Sequence, residues 1–132
     1  MGFEVEVRTV DGASTAVGSA GPRSLVVDRS IEAGGGGVGF NGGELLHLAV
    51  AGCVSNDLFR EAERRGIVLT RAVVRVDGGF AGDPAVSTGI TYSVDVAGDA
   101  SDEELASLVA HVDAIAEIPN SLRAGTSVQR TS

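Results

Sequence analysis

The chain has 132 residues, 43% hydrophobic and only 4% aromatic, which fits a single domain over residues 1–132 with an aliphatic core. Its formal charge of −8 opposes contact with nucleic-acid phosphates and anionic lipids, so neither nucleic acid nor membrane is expected as a partner. A single cysteine excludes an internal disulfide and a four-cysteine zinc site, and two histidines far apart in sequence indicate no metal site.

The first third of the chain is predicted to form three strands. The segment FEVEVRTV (3–10) alternates apolar and charged side chains, and Asp11-Gly12 supplies a turn after it. A second strand is expected over 13–18 and a third over 23–28. Residues 32–43 hold seven glycines in twelve positions and are predicted to be a loop.

This glycine run contains a possible nucleotide motif. Gly37, Gly39 and Gly42 match G-x-G-x-x-G, the spacing that holds a dinucleotide pyrophosphate at the start of a helix. A dinucleotide site needs its first glycine at a strand end, however, and the third strand ends near Asp28. We therefore favour a mobile loop or a flap that gates substrate, and we expect no cofactor.

A long helix is predicted from Gly43 to Arg65. Its first half is apolar nearly all round, so it should be buried on most sides, and one subunit of this size has little with which to cover it. A partner subunit is therefore expected. The second half is polar, and its arginines (Arg60, Arg64 and Arg65) are interpreted as a solvated helix end.

The remaining elements are a hairpin, a second helix and a last strand. Strands over 67–76 and 87–96 flank DGGFAGDPAV, which is expected to be a long loop. Ser101 and Glu104 predict a capping box at the start of the second helix, which Pro119 should end and on which His111 is expected to be solvated. With a last strand over 126–131, the order is β-β-β-α-β-β-α-β, an α+β fold.

Several of these features together resemble the OsmC/Ohr family, the osmotically induced protein and organic hydroperoxide resistance group of thiol peroxidases. The resemblance runs from about Arg23 to Arg130. It rests on the glycine-rich loop and on three short motifs: Asn41 before Glu44-Leu45-Leu46, then Ala51-Gly52-Cys53, then Arg64-Arg65-Gly66-Ile67. It implies an OsmC-like fold, an intertwined homodimer whose central cysteine-bearing helices pack between antiparallel sheets, with active sites near the subunit interface.

The resemblance also implies roles for particular residues. Family members use a cysteine that attacks the peroxide O–O bond, an arginine and a glutamate that steer it, and a second cysteine that forms a disulfide with the first. Cys53 matches the attacking cysteine, and Arg23 and Arg29 lie in the region that could supply the guanidinium. Glu44 is the candidate carboxylate, although Gly43 occupies the position of the family glutamate.

The largest departure from the family is the absence of a second cysteine, because Ile118 precedes Pro119 where that cysteine would stand. The resemblance thus implies a stress-response oxidoreductase, a peroxidase that reduces an organic hydroperoxide with one cysteine and an external thiol reductant. A cytoplasmic location is expected, because the N-terminal segment does not have the pattern of a secretory signal and no apolar run is long enough to span a bilayer. The alternative is a catalytically degenerate member of the fold that binds an apolar ligand or serves as an assembly module. In that case Cys53 is a small buried hydrophobic residue, as free cysteines often are.

Overall fold

The structure is a computed structural model that describes all residues from Met1 to Ser132. It confirms an α+β fold with two antiparallel sheets. The chain divides into two compact units, Met1–Leu46 and His47–Ser132, while the predictions of one domain and of a homodimer stay predictions. The elements in chain order are β1 (Glu6–Thr9), β2 (Ala16–Ala20), β3 (Arg23–Val27), α1 (Gly42–Arg64), β4 (Leu69–Gly82), β5 (Ala85–Gly98), α2 (Asp102–Ile115) and α3 (Glu117–Arg123).

The first unit is built on the sheet β1-β2-β3, in which both strand pairs are antiparallel. Val7 pairs with Gly18, and Gly18 pairs with Leu25, so these three residues share one face of the sheet. Val5 and Val27 lie on the same face, because they stand two residues from Val7 and Leu25 along the chain. One face of the sheet is therefore mainly apolar.

The glycine run after β3 is an ordered loop held by the carboxylate of Asp28. This carboxylate accepts hydrogen bonds from the hydroxyls of Ser14 and Thr15, at 3.2 and 3.0 Å, and from the backbone N–H groups of Arg29, Gly36 and Val38. Burial alone would raise the pKa of Asp28, but the hydrogen bonds from Arg29, Thr15, Val38 and Gly36 together lower it. The predicted mobile loop is therefore fixed to the end of β3.

Close packing explains why this loop needs glycine. A Cβ atom on Gly35 would lie 2.2 Å from the carbonyl oxygen of Arg29, and one on Gly39 would lie 2.5 Å from that of Val26. Both distances are far inside van der Waals contact, so no larger residue fits without moving the backbone. Within the G-x-G-x-x-G match, Gly39 is thus required by packing, whereas a Cβ atom on Gly42 would meet nothing within 4 Å.

Helix α1 begins and ends with defined caps. The side chain of Asn41 accepts a hydrogen bond from the Glu44 backbone N–H at 2.8 Å, and the Glu44 carboxylate accepts one from the Asn41 N–H at 3.0 Å. At the other end Gly66 adopts a φ of +70°, and the Ile67 N–H donates to the Ala62 carbonyl at 2.8 Å. The helix runs from Gly42 to Arg64, within one residue of the prediction at each end.

The second unit contains the hairpin β4-β5, whose strands are longer than predicted. They pair from Leu69 with Gly98 to Gly82 with Ala85, so the segment expected to be a long loop is mostly strand. Only Asp83-Pro84, joined by a cis peptide bond, connects the two strands. Glycine on β4 is required where α1 approaches, because a Cβ atom on Gly78 would lie 2.4 Å from Nε2 of His47.

The end of the chain also differs from the prediction. Ala116, in an extended conformation, ends α2, and Pro119 lies in the first turn of α3, where its missing N–H is tolerated. The predicted strand over 126–131 is therefore wrong, and the eighth element is a helix. The predicted cap of α2 is confirmed, since the Ser101 hydroxyl accepts from the Glu104 N–H at 3.1 Å.

Aliphatic side chains from α1, α2 and the segments that follow them form the core of the second unit. The absence of aromatic residues from this buried cluster agrees with the composition of the chain. No helix combines the length and apolarity needed to cross a membrane. The buried cluster consists of Val54, Leu58, Ala62, Ile67, Leu105, Leu108, Val112 and Ala116.

Candidate functional site

Cys53 lies near the middle of α1, at the edge of the core of the second unit. Its side chain is half-buried and packs against the buried aliphatic cluster, so it is neither sealed inside nor fully exposed. Its thiol is free. At about 100° per residue, Asp57 and Arg60 follow Cys53 on the same side of the helix, at spacings of four and seven residues.

A cluster of charged side chains occupies the next two turns of α1. The buried Glu61 accepts from Arg64 at 2.8 Å and Arg60 at 3.1 Å through one carboxylate oxygen, and its other oxygen lies 2.8 Å from Nε2 of His111 on α2. The pKa of Glu61 is lowered, mainly by the hydrogen bond with His111. Burial acts in the opposite direction and raises this pKa, but by less. Glu61 and Asp57 in turn raise the pKa of Arg60.

These contacts correct two expectations from the sequence. Arg60, Arg64 and His111 are not merely solvated, because all three bind the carboxylate of Glu61. The sequence did hold a signal for this, since Asp57 and Glu61 stand three and seven residues after the buried Val54, on the apolar side of the helix. Acids at core positions indicate paired charges within the fold.

Asp57 is the most unusual member of this cluster. Only 6% of the residue is exposed, and its Oδ1 atom forms an ion pair with Nη1 of Arg60 at 3.2 Å. Its other carboxylate oxygen, Oδ2, is buried and has no hydrogen-bond partner. Buried carboxylate oxygens are rarely left without a donor, so this atom requires an explanation.

The two candidate arginines lie in the first unit. Arg23 begins β3, on the same sheet face as Leu25, and lines a mainly apolar pocket of about 260 Å³ together with Val5, Val7 and Leu45. The guanidinium of Arg29 instead lies beside the glycine-rich loop, with Nη1 3.8 Å from the position that a Cβ atom on Gly34 would take. Neither guanidinium takes part in an ion pair.

Glu44, the candidate carboxylate, lies in the first turn of α1, where it completes the capping box with Asn41. The helix start is therefore regular. Nine residues of α-helix separate Glu44 from Cys53, which places the two on opposite faces of α1. A Glu44 that serves a thiol would thus have to serve that of another subunit.

A second polar cluster joins β5 to α2 and α3. The Tyr92 hydroxyl donates a short hydrogen bond to Oδ1 of Asp113, which also accepts from Nη2 of Arg123 at 2.8 Å. Burial and this carboxylate raise the pKa of Tyr92 to about 12, while the hydrogen bonds from Tyr92 and Arg123 lower the pKa of Asp113. The cluster ties both C-terminal helices to the sheet.

Tyr92 is the only tyrosine of the chain, and there is no tryptophan, so its ionisation can be followed directly by ultraviolet absorbance. We expect a midpoint near pH 12 in the folded protein, and a lower one in Asp113→Asn, which removes the carboxylate charge. Because the folded pKa lies above the ordinary value of 10.0, the cluster stabilises the fold fully below pH 10. That stability is lost as the pH rises from 10 to about 12. A midpoint near 10 in the folded protein would contradict the observed contact.

The architecture defines the chain as an α+β protein of the OsmC fold. It is similar to an OsmC-like protein from Mycoplasma pneumoniae, with a TM-score of 0.81 and 14% identity over 96% of this chain and 90% of that one. It is also similar to the organic hydroperoxide resistance protein OsmC of Legionella pneumophila, with a TM-score of 0.71 and 17% identity over 93% and 90%. A third similar structure is the organic hydroperoxide resistance protein OhrB of Bacillus subtilis, with a TM-score of 0.66 and 17% identity over 95% and 93%.

Sequence comparison identifies the family. The sequence model of the family described as OsmC-like protein matches residues 34–130, which is most of the chain. No protein of curated function matches the sequence. The chain belongs to the OsmC-like family.

Proposed function

We propose that this protein is a thiol-dependent reductase of organic hydroperoxides that uses Cys53 and an external thiol reductant. The observation that carries the proposal is the half-buried free thiol of Cys53 on α1, in a chain of the OsmC-like family. The names of the Legionella and Bacillus proteins as organic hydroperoxide resistance proteins support the substrate class. Only a thiolate is a good nucleophile, so the reaction also needs a cation near the sulfur.

The family resemblance makes Arg23 and Arg29 the candidates for that cation. Of the two, we favour Arg23 because of its surroundings. Arg23 lines the apolar pocket of the first unit, where an alkyl group gains free energy by leaving water. Glu44 is proposed to orient the guanidinium. Because Glu44 faces away from the Cys53 of its own helix, it would do so for the thiol of a partner subunit.

The proposed cycle has two halves. The Cys53 thiolate attacks the terminal oxygen of the hydroperoxide, the O–O bond breaks, and the products are a sulfenic acid on Cys53 and an alcohol, once the alkoxide takes up a proton. A first external thiol condenses with the sulfenic acid to a mixed disulfide and water. A second thiol releases Cys53 and leaves as the disulfide. An external thiol is required because Ile118 stands where the family has its second cysteine.

The proposed assembly is a homodimer in the cytoplasm, where small thiols are reduced. Apolar side chains exposed on one side of α1 support a partner subunit. Leu48 and Phe59, which are 48% and 49% exposed, lie on the same face of the helix at a spacing of eleven residues. Large apolar side chains exposed on one helix face are the kind of surface that a second subunit can cover.

The test is chemical trapping of the oxidised cysteine. The reduced full-length protein is treated with cumene hydroperoxide in the presence of dimedone, which captures sulfenic acids, and the adduct is located by mass spectrometry. We expect an adduct on Cys53 that depends on the peroxide and is prevented by prior blocking of the thiol. Absence of the adduct at every peroxide concentration, with the thiol still free, would contradict the proposal.

A second candidate function is binding of an apolar ligand without catalysis. The pocket of about 260 Å³ lined by Val5, Val7, Leu25 and Val27 favours it, as does Gly43 at the position of the family glutamate. In this case native mass spectrometry of the purified protein should reveal a bound apolar molecule, and Cys53 should resist peroxide.

A further inference from the structure

We propose that Asp57 is a further catalytic residue, whose Oδ2 atom accepts the hydrogen bond of the hydroperoxide O–H at Cys53 and then that of the resulting sulfenic acid. The inference rests on the proposed function and goes beyond it by assigning this residue a contact with the substrate. The observation that carries it is the carboxylate oxygen of Asp57 that is buried without a donor one helical turn from the thiol.

The geometry of α1 brings the two side chains together. Residues four apart on an α-helix have Cβ atoms roughly 5–6 Å apart, and side chains lean toward the N-terminus of the helix. Asp57 therefore leans toward Cys53, so a peroxide oxygen bound at the sulfur would lie on the side of α1 that Asp57 occupies. Cys53 packs against the buried aliphatic cluster, and Asp57 is itself buried.

The charge of Asp57 is balanced by a neighbour. A bare carboxylate beside a thiol would oppose formation of the thiolate. In this chain Oδ1 pairs with Nη1 of Arg60 at 3.2 Å, so the carboxylate brings no uncompensated charge to Cys53. Oδ2 is buried and accepts no hydrogen bond within the chain, so its capacity to accept one from an uncharged O–H donor is unused.

The reaction itself makes an acceptor useful. The oxygen that the thiolate attacks is the one that carries the hydrogen, and this hydrogen stays on that oxygen when the S–O bond forms and the O–O bond breaks. Oδ2 can therefore hold the same O–H group before and after the step, while the alkoxide takes its proton from the surroundings. A held sulfenic acid is also aligned for the external thiol that this single-cysteine chain requires.

The test compares two reagents on the same sulfur. Cumene hydroperoxide carries the O–H group, whereas methyl methanethiosulfonate reacts with the Cys53 thiolate and has no hydrogen-bond donor. Second-order rate constants for both reagents are measured by loss of free thiol in the full-length protein. In Asp57→Asn we expect the ratio of the peroxide rate to the thiosulfonate rate to fall by about tenfold or more, because a neutral amide replaces the charged acceptor of the hydrogen bond.

Two further variants keep the result unambiguous. Glu63→Gln removes a carboxylate from an exposed site of the same helix and should leave the ratio within about twofold of the wild-type value. The double variant Asp57→Leu/Arg60→Met removes the ion pair of the buried Asp57 with the half-exposed Arg60 as a unit, so that no unpaired charge is left at Asp57. It should show the same loss as Asp57→Asn, and it stands in for that variant if a buried asparagine prevents folding.

The outcomes separate the two proposals. An unchanged ratio in a folded Asp57 variant overturns the role of Asp57 and leaves the proposed function intact. A wild-type protein whose Cys53 reacts with the thiosulfonate but with no hydroperoxide overturns the proposed function and, with it, the inference. Equal losses for both reagents in Asp57→Asn would indicate a purely structural role and also overturn the inference.

Discussion

Replacement of Cys53 by serine is expected to lower the rate of cumene hydroperoxide consumption by at least about a thousandfold, to the level of the reductant alone. A serine hydroxyl is not ionised at neutral pH and cannot donate electrons to a peroxide oxygen as a thiolate does. The measurement follows peroxide loss with a dithiol reductant in excess. Serine is close to cysteine in size, so the packing at the border of the core is kept.

A control for this experiment lies on the same helix. Asn56→Ser places a serine at an exposed site three residues after Cys53 and should leave the rate of peroxide consumption unchanged. A Cys53→Ser variant with wild-type activity would mean that another group carries out the chemistry. Cys53 would then be only a small packing residue, and binding of an apolar ligand would become the favoured function.

Truncation of Leu58 to alanine is expected to lower the free energy of unfolding by about 2–5 kcal/mol. Leu58 is 0% exposed and lies in the buried cluster between α1 and the second helix, so the change removes apolar contacts and leaves a cavity. Urea unfolding followed by circular dichroism measures the loss. Because Leu58 stands five residues after Cys53, the same variant should also loosen the turn that carries the thiol.

The matched control is Leu122→Ala, the same substitution at a leucine of α3 that is 39% exposed. It should cost about half as much or less, because less apolar surface is removed from the interior. Equal losses in the two variants would contradict the observed core. A loss for Leu58→Ala well below 1 kcal/mol would do so as well.

Local signals in the sequence were sufficient for most elements. The start of α2 was predicted from its capping residues, and Ser101 caps as expected, because a cap needs only side chains within four residues of each other. The end of α1 at Gly66 was equally local, since a positive φ favours glycine. Cys53 was singled out by its motif, and the family match agrees with the resemblance that this motif suggested.

The errors fell where distant contacts decide the structure. The segment 77–86 has the composition of a loop, but pairing between β4 and β5 extends the strands through its glycines. The C-terminal segment 126–131 resembles a strand yet pairs with none, and α3 forms before it, with Pro119 placed in its first turn. Strand pairing depends on a partner elsewhere in the chain, which the pattern of one segment does not reveal.

What the sequence alone determined is therefore the α+β class, the order of the first seven elements and the thiol on α1, since each depends on short-range periodicity, caps or a single motif. Only the tertiary structure decided that the glycine run is bound by Asp28, and that Arg60, Arg64 and His111 meet at Glu61. It also decided that Asp57 keeps one buried oxygen without a donor. Those facts depend on which groups share the interior, where a charge or a polar atom is costly unless another part of the chain, or a ligand, pairs with it.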